Sequence, residues 1–144
     1  MSKLRKYLGL TLILLLIVTL SGCATPAVNA LGSSESQVKL RSIQTRAFDT
    51  TDKKKMMQTV LSTMQDLDFV IDKADFTLGS ITGSKFLGYE VVTMSVTVRP
   101  RGEKQLLVRA NAQYGIKSVE DPATYQDFFT ALEKAIFLTA QQVD

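Results

Sequence analysis

The chain contains few side chains that could do chemistry, and the most distinctive of them is its single cysteine. Cys23 is the only thiol among 144 residues, and histidine is absent. Without histidine, neither a cysteine–histidine dyad nor a Ser-His-Asp triad can be built, and one cysteine cannot supply the cysteine and histidine ligands of a usual zinc site. A carboxylate pair or a serine–lysine dyad remains open, but Glu90, Glu103 and Glu133 are isolated in sequence and no serine stands out. We therefore predict that the protein is not an enzyme and holds no metal or cofactor.

Cys23 stands at the end of a segment with the pattern of a secretory signal. Three basic residues lie near the amino terminus, an apolar stretch runs from Tyr7 to Leu20, and two small residues separate Leu20 from Cys23. The stretch of about 14 residues suits the core of a signal peptide, and it is shorter than the roughly 20 residues that a membrane span needs. A plain signal peptide followed by a chance cysteine, or an uncleaved anchor, are the alternatives.

The run Leu20-Ser21-Gly22-Cys23 resembles the lipobox of bacterial lipoproteins. The resemblance covers Met1 to Cys23. It implies that a diacylglycerol is attached to the Cys23 sulfur, that cleavage occurs before Cys23, and that the new amino terminus is acylated, for instance with palmitate. Two or more acyl chains hold a protein firmly on a membrane, whereas one chain holds it only marginally. Ala24 stands where enterobacterial-type lipoproteins kept in the inner membrane carry aspartate, so the resemblance implies an outer-membrane protein facing the periplasm.

The net charge of the chain lies entirely in the predicted signal. The formal net charge is +3, which equals the charge of Lys3, Arg5 and Lys6, so the chain from Cys23 onward is formally neutral. A neutral chain lacks the electrostatic footprint of a nucleic-acid-binding protein, and we predict no nucleic-acid partner. With Cys23 lipidated, no thiol remains for a disulfide framework.

Composition and periodicity divide the chain into a signal peptide (residues 1–22), a flexible tether (residues 23–37) and one domain (residues 38–144). The domain is predicted to begin with a strand from Val38 to Ala47, followed by a helix with an apolar stripe from Met56 to Leu67. From Phe69 the apolar period changes to two, which predicts several antiparallel strands. Asp121 and Pro122 then have the residue types of an N-cap and a first helical position. The predicted fold is α+β, an antiparallel sheet of about four to five strands with two helices packed on one face.

Two further patterns resemble binding motifs without matching them. Gly79 to Lys85 has the glycines and lysine of a phosphate loop, but the spacing is wrong by one residue and a strand, not a helix, is predicted to follow. Four aspartates crowd the junction between helix and strands, but the central glycine and terminal glutamate of an EF-hand loop are absent. We interpret these aspartates as capping, turn and solvent-facing residues. They are Asp66, Asp68, Asp72 and Asp75.

The domain also resembles a family of small proteobacterial lipoproteins. The resemblance rests on three stretches: Ile43–Thr50, Met64–Ile71, and Ala74-Asp75 followed by Leu78–Thr82. Their pattern of helix, leucine, turn, phenylalanine and then glycine-x-isoleucine also looks like the repeated domain of BamC, a lipoprotein of the outer-membrane β-barrel assembly machine. That resemblance implies a helix-grip fold, in which helices grip an antiparallel sheet. Asp68 departs from the pattern, which has glycine there, and the chain has one such domain where BamC has two.

We expect a lipid-anchored, non-enzymatic periplasmic accessory protein of an outer-membrane machine that acts in assembly, secretion or efflux. It would reach the outer membrane through acyl chains on Cys23 and contact a protein partner through an exposed sheet edge or part of the last helix. Phe137 and Leu138 widen the apolar arc of that helix, and one of them is a candidate for this contact. The alternative is a periplasmic lipoprotein that binds a small apolar or envelope ligand between sheet and helix, which requires a cavity.

Overall fold

The computed structural model describes the backbone of residues 30–141 and the side chains of residues 37–138. Cys23, the predicted signal peptide and residues 23–29 of the predicted tether lie outside the described residues, so lipidation stays a prediction. The described residues from Ser34 onward form one compact unit. None of the helices in the described part is both long and apolar enough to cross a bilayer.

Residues 30–141 form three helices and six strands, in the order helix, strand, helix, five strands, helix. The helices are α1 (Ala30–Ile43), α2 (Lys53–Asp66) and α3 (Pro122–Gln141). The strands are β1 (Thr45–Phe48), β2 (Val70–Asp75), β3 (Ser80–Leu87), β4 (Glu90–Arg101), β5 (Gln105–Tyr114) and β6 (Lys117–Ser118). The predicted α+β class is confirmed.

All strand pairs of the sheet are antiparallel, and the strand order is β1-β5-β4-β3-β2. The short strand β6 also pairs with β5, so the sheet exceeds the predicted four to five strands by this two-residue pairing. Alternation along β4 and β5 sends one set of side chains to a dry face and the other to an open face. The dry face and the apolar stripes of α2 and α3 form one core. Its largest fully buried side chains include Tyr125, Phe128, Phe129, Met57, Met64, Ile81 and Met94.

Residues 30–43 form α1, so two predictions are wrong here: the flexible coil up to Gln37 and the strand from Val38. The predicted coil rests on the polar, small-residue composition of this segment. It does not take into account the high helix propensity of its alanine, leucine, glutamine, lysine and arginine residues. Leu40 and Ile43 lie three residues apart on one side of the helix and pack partly buried against the core. The strand begins only at Thr45, after Gln44 N–H has donated to Leu40 C=O at 3.1 Å.

An aspartate caps the start of α2 and of α3. Asp52 caps α2, since its Oδ1 accepts from Lys55 N–H at 2.9 Å. Asp121 was predicted as the cap of α3, and its Oδ1 does accept from Ala123 N–H at 3.2 Å. Such a carboxylate satisfies an amide that has no partner within the helix and suits the positive end of the helix dipole.

Asp68 ends α2 in the left-handed conformation that glycine usually adopts, with φ of 64°. Asp68 N–H donates to Gln65 C=O at 3.0 Å and Phe69 N–H donates to Met64 C=O at 2.9 Å, which is the hydrogen-bond pattern of a Schellman cap. Lys85 Nζ contacts both the Asp68 carboxylate, at 3.3 Å, and the Leu67 carbonyl oxygen, at 2.9 Å. The glycine of the resembled pattern is therefore replaced by a residue that keeps the same backbone conformation.

Asp68→Gly is expected to raise the free energy of unfolding by about 0.5–1 kcal/mol, because glycine removes the left-handed strain of an L-residue and loses only an exposed ion pair. Chemical denaturation measured by circular dichroism checks this. Asp68→Asn is the control, since asparagine tolerates the left-handed conformation and removes only the charge. A glycine variant less stable than the asparagine variant would show that conformational strain at this position is negligible.

Gly83 lies inside β3 on the dry face, under the end of α2. A Cβ atom there would lie 2.9 Å from Val70 O and 3.1 Å from Met64 Cε, so only glycine allows this close approach of sheet and helix. Opposite it, the register between β2 and β3 shifts between Ile71 and Lys73, which is a bulge. The extra residue of this bulge lies in β2, the strand that pairs with Gly83.

Candidate functional site: an apolar end of the sheet

The predicted chemical patterns do not converge on a reactive site within the described residues. Three of the four crowded aspartates have structural contacts: Asp68 with Lys85, Asp72 as acceptor from Ser84 Oγ at 2.7 Å, and Asp75 as acceptor from Leu78 N–H at 2.8 Å. Among the described residues, no group of three or more histidine, cysteine or acidic side chains could hold a metal ion. Asp68 thus stands in a helix cap and Asp75 in a turn, as the sequence suggested, whereas Asp72 lies within β2 and contacts the neighbouring strand.

The segment from Gly79 to Lys85 is not a phosphate loop, because it forms most of β3 and no helix follows it. Lys85 Nζ is held by the Leu67 carbonyl. Of the glutamates considered for catalysis, Glu133 accepts from Arg46 Nη1 at 2.6 Å on the surface. Arg46 also stacks over the Phe129 ring, with 4.9 Å between its Cζ atom and the ring centroid, so this pair fixes α3 to β1.

A cluster of exposed apolar side chains occupies one end of the sheet, where the turns β3–β4 and β5–β6 lie side by side. The register places Val92 opposite Tyr114; the β3–β4 turn lies just before Val92, and the β5–β6 turn lies just after Tyr114. We call this cluster the apolar tip. Its members are Phe86, Leu87, Tyr89, Val91, Tyr114 and Ile116.

The side chains of the apolar tip are more exposed than is usual for apolar residues. Ile116 is 98% exposed, Tyr89 is fully exposed, and Phe86 and Val91 form a cross-strand pair on the open face. Gly88 and Gly115 provide the positive φ angles of the two turns, so the backbone is tight and the neighbouring apolar side chains project from it. Turns are normally polar, and clustered exposed apolar residues mark interaction sites.

An apolar cleft opens next to the tip, on the side of the sheet that the helices cover. It encloses about 240 Å³ and lies between the end of α2 and the start of α3. Leu87 and Tyr114 belong to both the cleft and the tip, so the two form one continuous apolar surface. The polar groups at the cleft are Lys85, Thr124 and Asp127. The remaining lining is apolar: Leu67, Phe69, Val92, Met94, Val119 and Phe128.

The apolar tip is not among the sites predicted from the sequence. The available signal was the pairing of glycine with large apolar residues, as in Leu87-Gly88-Tyr89 and Tyr114-Gly115-Ile116. Neither triplet has the polar turn residues that usually flank glycine.

The aromatic residues of the last helix fall into two groups. Tyr125, Phe128 and Phe129 are buried in the core, and the two phenylalanine rings pack edge to face with centroids 5.1 Å apart. Phe137 and Leu138 are both exposed, so the widened apolar arc of α3 does face outward near the end of the helix.

Comparisons with known proteins identify no family for this chain. No protein-family model matches the chain, and no curated protein matches it in sequence.

Proposed function

We propose that the protein is a lipid-anchored, non-enzymatic periplasmic accessory protein of an outer-membrane machine, and that it docks on its protein partner through the apolar tip. The anchor is argued from the resemblance of residues 1–23 to a lipoprotein signal. The docking surface is argued from the exposure of Tyr89 and Ile116, which is the observation that carries the proposal. Anchoring raises the local concentration of the domain near a membrane partner, so a small interface suffices.

The composition of the tip suits a protein interface. Aromatic side chains are enriched at interface cores because they bury a large area for a small loss of side-chain entropy, and the tip presents Phe86, Tyr89 and Tyr114. The cleft beside the tip offers a pocket into which an anchoring side chain of the partner can insert.

A photoreactive phenylalanine analogue installed at Tyr89 is expected to crosslink the protein in cells to one discrete partner. The same crosslink should be lost when Ile116→Asp is added, because a carboxylate at the tip cannot be desolvated in an apolar interface. Gel electrophoresis and mass spectrometry of the crosslinked band measure both effects.

The matched control is position 78 in the turn between β2 and β3, at the opposite end of the sheet. Leu78 is 71% exposed, so the analogue at Leu78, and Leu78→Asp in place of Ile116→Asp, repeat the same chemical changes away from the tip. Equal crosslinking from both ends, or a Tyr89 crosslink that survives Ile116→Asp, would contradict docking through the tip.

A second candidate function is favoured by the cleft itself: binding of a small apolar ligand between sheet and helix. Its volume of about 240 Å³ is somewhat below the usual 300–1,000 Å³ of ligand sites. Native mass spectrometry of the protein purified from its membrane separates the two functions. A copurifying small molecule that is lost when Met94 is enlarged to tryptophan would favour the ligand-binding function over partner docking.

A further inference from the structure

The open face of the sheet carries a concentrated positive charge. Alternation along β4 and β5 places Arg99, Arg101 and Arg109 on this face, away from the core side chains Val98 and Val108. On the same face of β1, β3, β4 and β5 there is no aspartate or glutamate. Since the chain from Cys23 onward is formally neutral, this separation of charge is local to the face.

The acidic groups on the outer strand and at the margins of this face have their own partners. Asp72 and Asp75 lie on the outer strand β2, where Asp72 accepts from Ser84 Oγ and Asp75 accepts from Leu78 N–H. Asp49, which follows β1, accepts from Gln105 Nε2 at 2.6 Å. The arginines in the middle of the sheet therefore have no carboxylate counter-ion within the described residues.

A depression of about 370 Å³ lies on this face, between β4 and β5. Thr97 stands opposite Arg109 in the register, Arg99 stands opposite Leu107, and the two arginines are therefore diagonal neighbours on one face. The complete lining is Ser95, Thr97, Arg99, Leu107, Arg109 and Asn111. The site thus combines two guanidinium groups with two hydroxyls and an amide.

Gln44 is almost fully buried, and its side chain contacts two of these groups, those of Arg109 and Asn111. Its Oε1 accepts from Arg109 Nη2 at 3.5 Å, and its Nε2 donates to Asn111 Oδ1 at 3.3 Å. The amide N–H groups of Asn111 therefore remain free to donate to a ligand. The guanidinium group of Arg99 makes no hydrogen bond or ion pair with another described side chain or backbone group, so its donors are available as well.

We propose that this depression binds a phosphorylated monosaccharide, with Arg99 and Arg109 on the phosphate. Guanidinium groups bind phosphate through paired hydrogen bonds, and two of them on one side of a depression match its charge. Ser95, Thr97 and Asn111 supply the donors and acceptors that sugar hydroxyls require. No aromatic side chain lines the depression, which argues against a nucleotide base as the rest of the ligand. Gln44 is a positioning residue in this site.

Glucose 6-phosphate is the probe that tests the proposal, with amide chemical shifts in β4 and β5 as the readout. We expect saturable shifts at millimolar concentrations or below, and at least about tenfold weaker binding of glucose and of inorganic phosphate. Arg109→Gln and Arg99→Gln should each weaken binding about tenfold. Arg109→Lys should weaken it nearly as much, because lysine keeps the charge and loses the planar pair of donors.

Arg101→Gln is the matched control. It removes one positive charge from the same face, on the same strand as Arg99, but Arg101 does not line the depression. An effect of Arg101→Gln equal to that of Arg109→Gln would overturn a defined site in favour of diffuse electrostatics. Inorganic phosphate that binds as tightly as glucose 6-phosphate would overturn the saccharide, and binding only to phosphatidylglycerol vesicles would overturn a soluble ligand. Unchanged unfolding midpoints establish that each variant is folded.

Discussion

Replacing Cys23 with serine is expected to abolish the incorporation of palmitate into this protein in bacterial cells. The chain has one cysteine, so no second thiol can accept a diacylglycerol. Serine has nearly the same size as cysteine, but its hydroxyl is a much weaker nucleophile than a thiolate and does not take up the glycerolipid. Metabolic labelling with radioactive palmitate, followed by immunoprecipitation and gel electrophoresis, measures the effect, which we expect to be complete.

Ala24→Ser is the matched control for the anchor, because it places a serine beside the cysteine and leaves the thiol in place. It should be labelled as strongly as the unmodified protein. An unlabelled wild-type protein, or a Cys23→Ser variant that still incorporates palmitate, would contradict the lipoprotein assignment. Docking through the tip is measured by a separate crosslink, so the two parts of the proposed function can fail independently.

The anchor and the tip support each other physically. In the proposed function, two or more acyl chains on Cys23 would hold the protein firmly at the membrane surface, whereas a small exposed patch such as the tip would support only weak docking by itself. Restricting the domain to the membrane raises the effective concentration of a membrane-bound partner, which converts weak docking into stable occupancy. The Cys23→Ser variant should therefore also weaken the Tyr89 crosslink.

The elements that the sequence predicted well are those with a strong period. Met57, Val60 and Met64 recur at helical spacing and are all buried, and the alternation along β4 and β5 separates the dry face from the open face as expected. Such patterns can be recognised in the sequence, because each element buries one continuous face against the same core.

The first helix and the apolar tip could not be predicted in this way, for different reasons. Residues 30–43 have little amphipathic periodicity, so their helix depends on local propensity and on the contacts of Leu40 and Ile43. The tip depends on the strand register, which brings two turns that lie far apart in sequence to one end of the sheet. Register is a tertiary property, since it is set by the pairing of whole strands.

The arginine depression could not be predicted from the sequence, because the domain as a whole carries almost no net charge. The charge of the chain beyond the predicted signal sums to zero, and only the pairing of β4 with β5 shows that Arg99 and Arg109 share one face without an acidic neighbour. Gln44 was predicted on a strand face and instead lies buried just before β1, where it contacts both sides of the sheet.

Tyr125→Phe is expected to lower the free energy of unfolding by about 2–3 kcal/mol. The Tyr125 hydroxyl donates to Val119 C=O at 2.6 Å and accepts from Ala112 N–H at 3.3 Å. Val119 N–H donates directly to Ala112 C=O at 2.9 Å, so the hydroxyl takes the place of the second hydrogen bond between these two residues. Removing the hydroxyl leaves a buried donor and a buried acceptor without a partner, and each such group costs about 1–3 kcal/mol.

The loss of stability should be largest around the Tyr125 hydroxyl, which also accepts from Gln44 Nε2 at 3.1 Å. Hydrogen exchange at Ala112 and Val119 should therefore accelerate more than exchange in β3. Tyr114→Phe is the matched control, since Tyr114 is exposed and removing its hydroxyl should change stability by less than about 0.5 kcal/mol. Equal effects of the two substitutions would mean that β6 closes onto β5 when the hydroxyl is removed, so that Ala112 N–H and Val119 C=O pair directly.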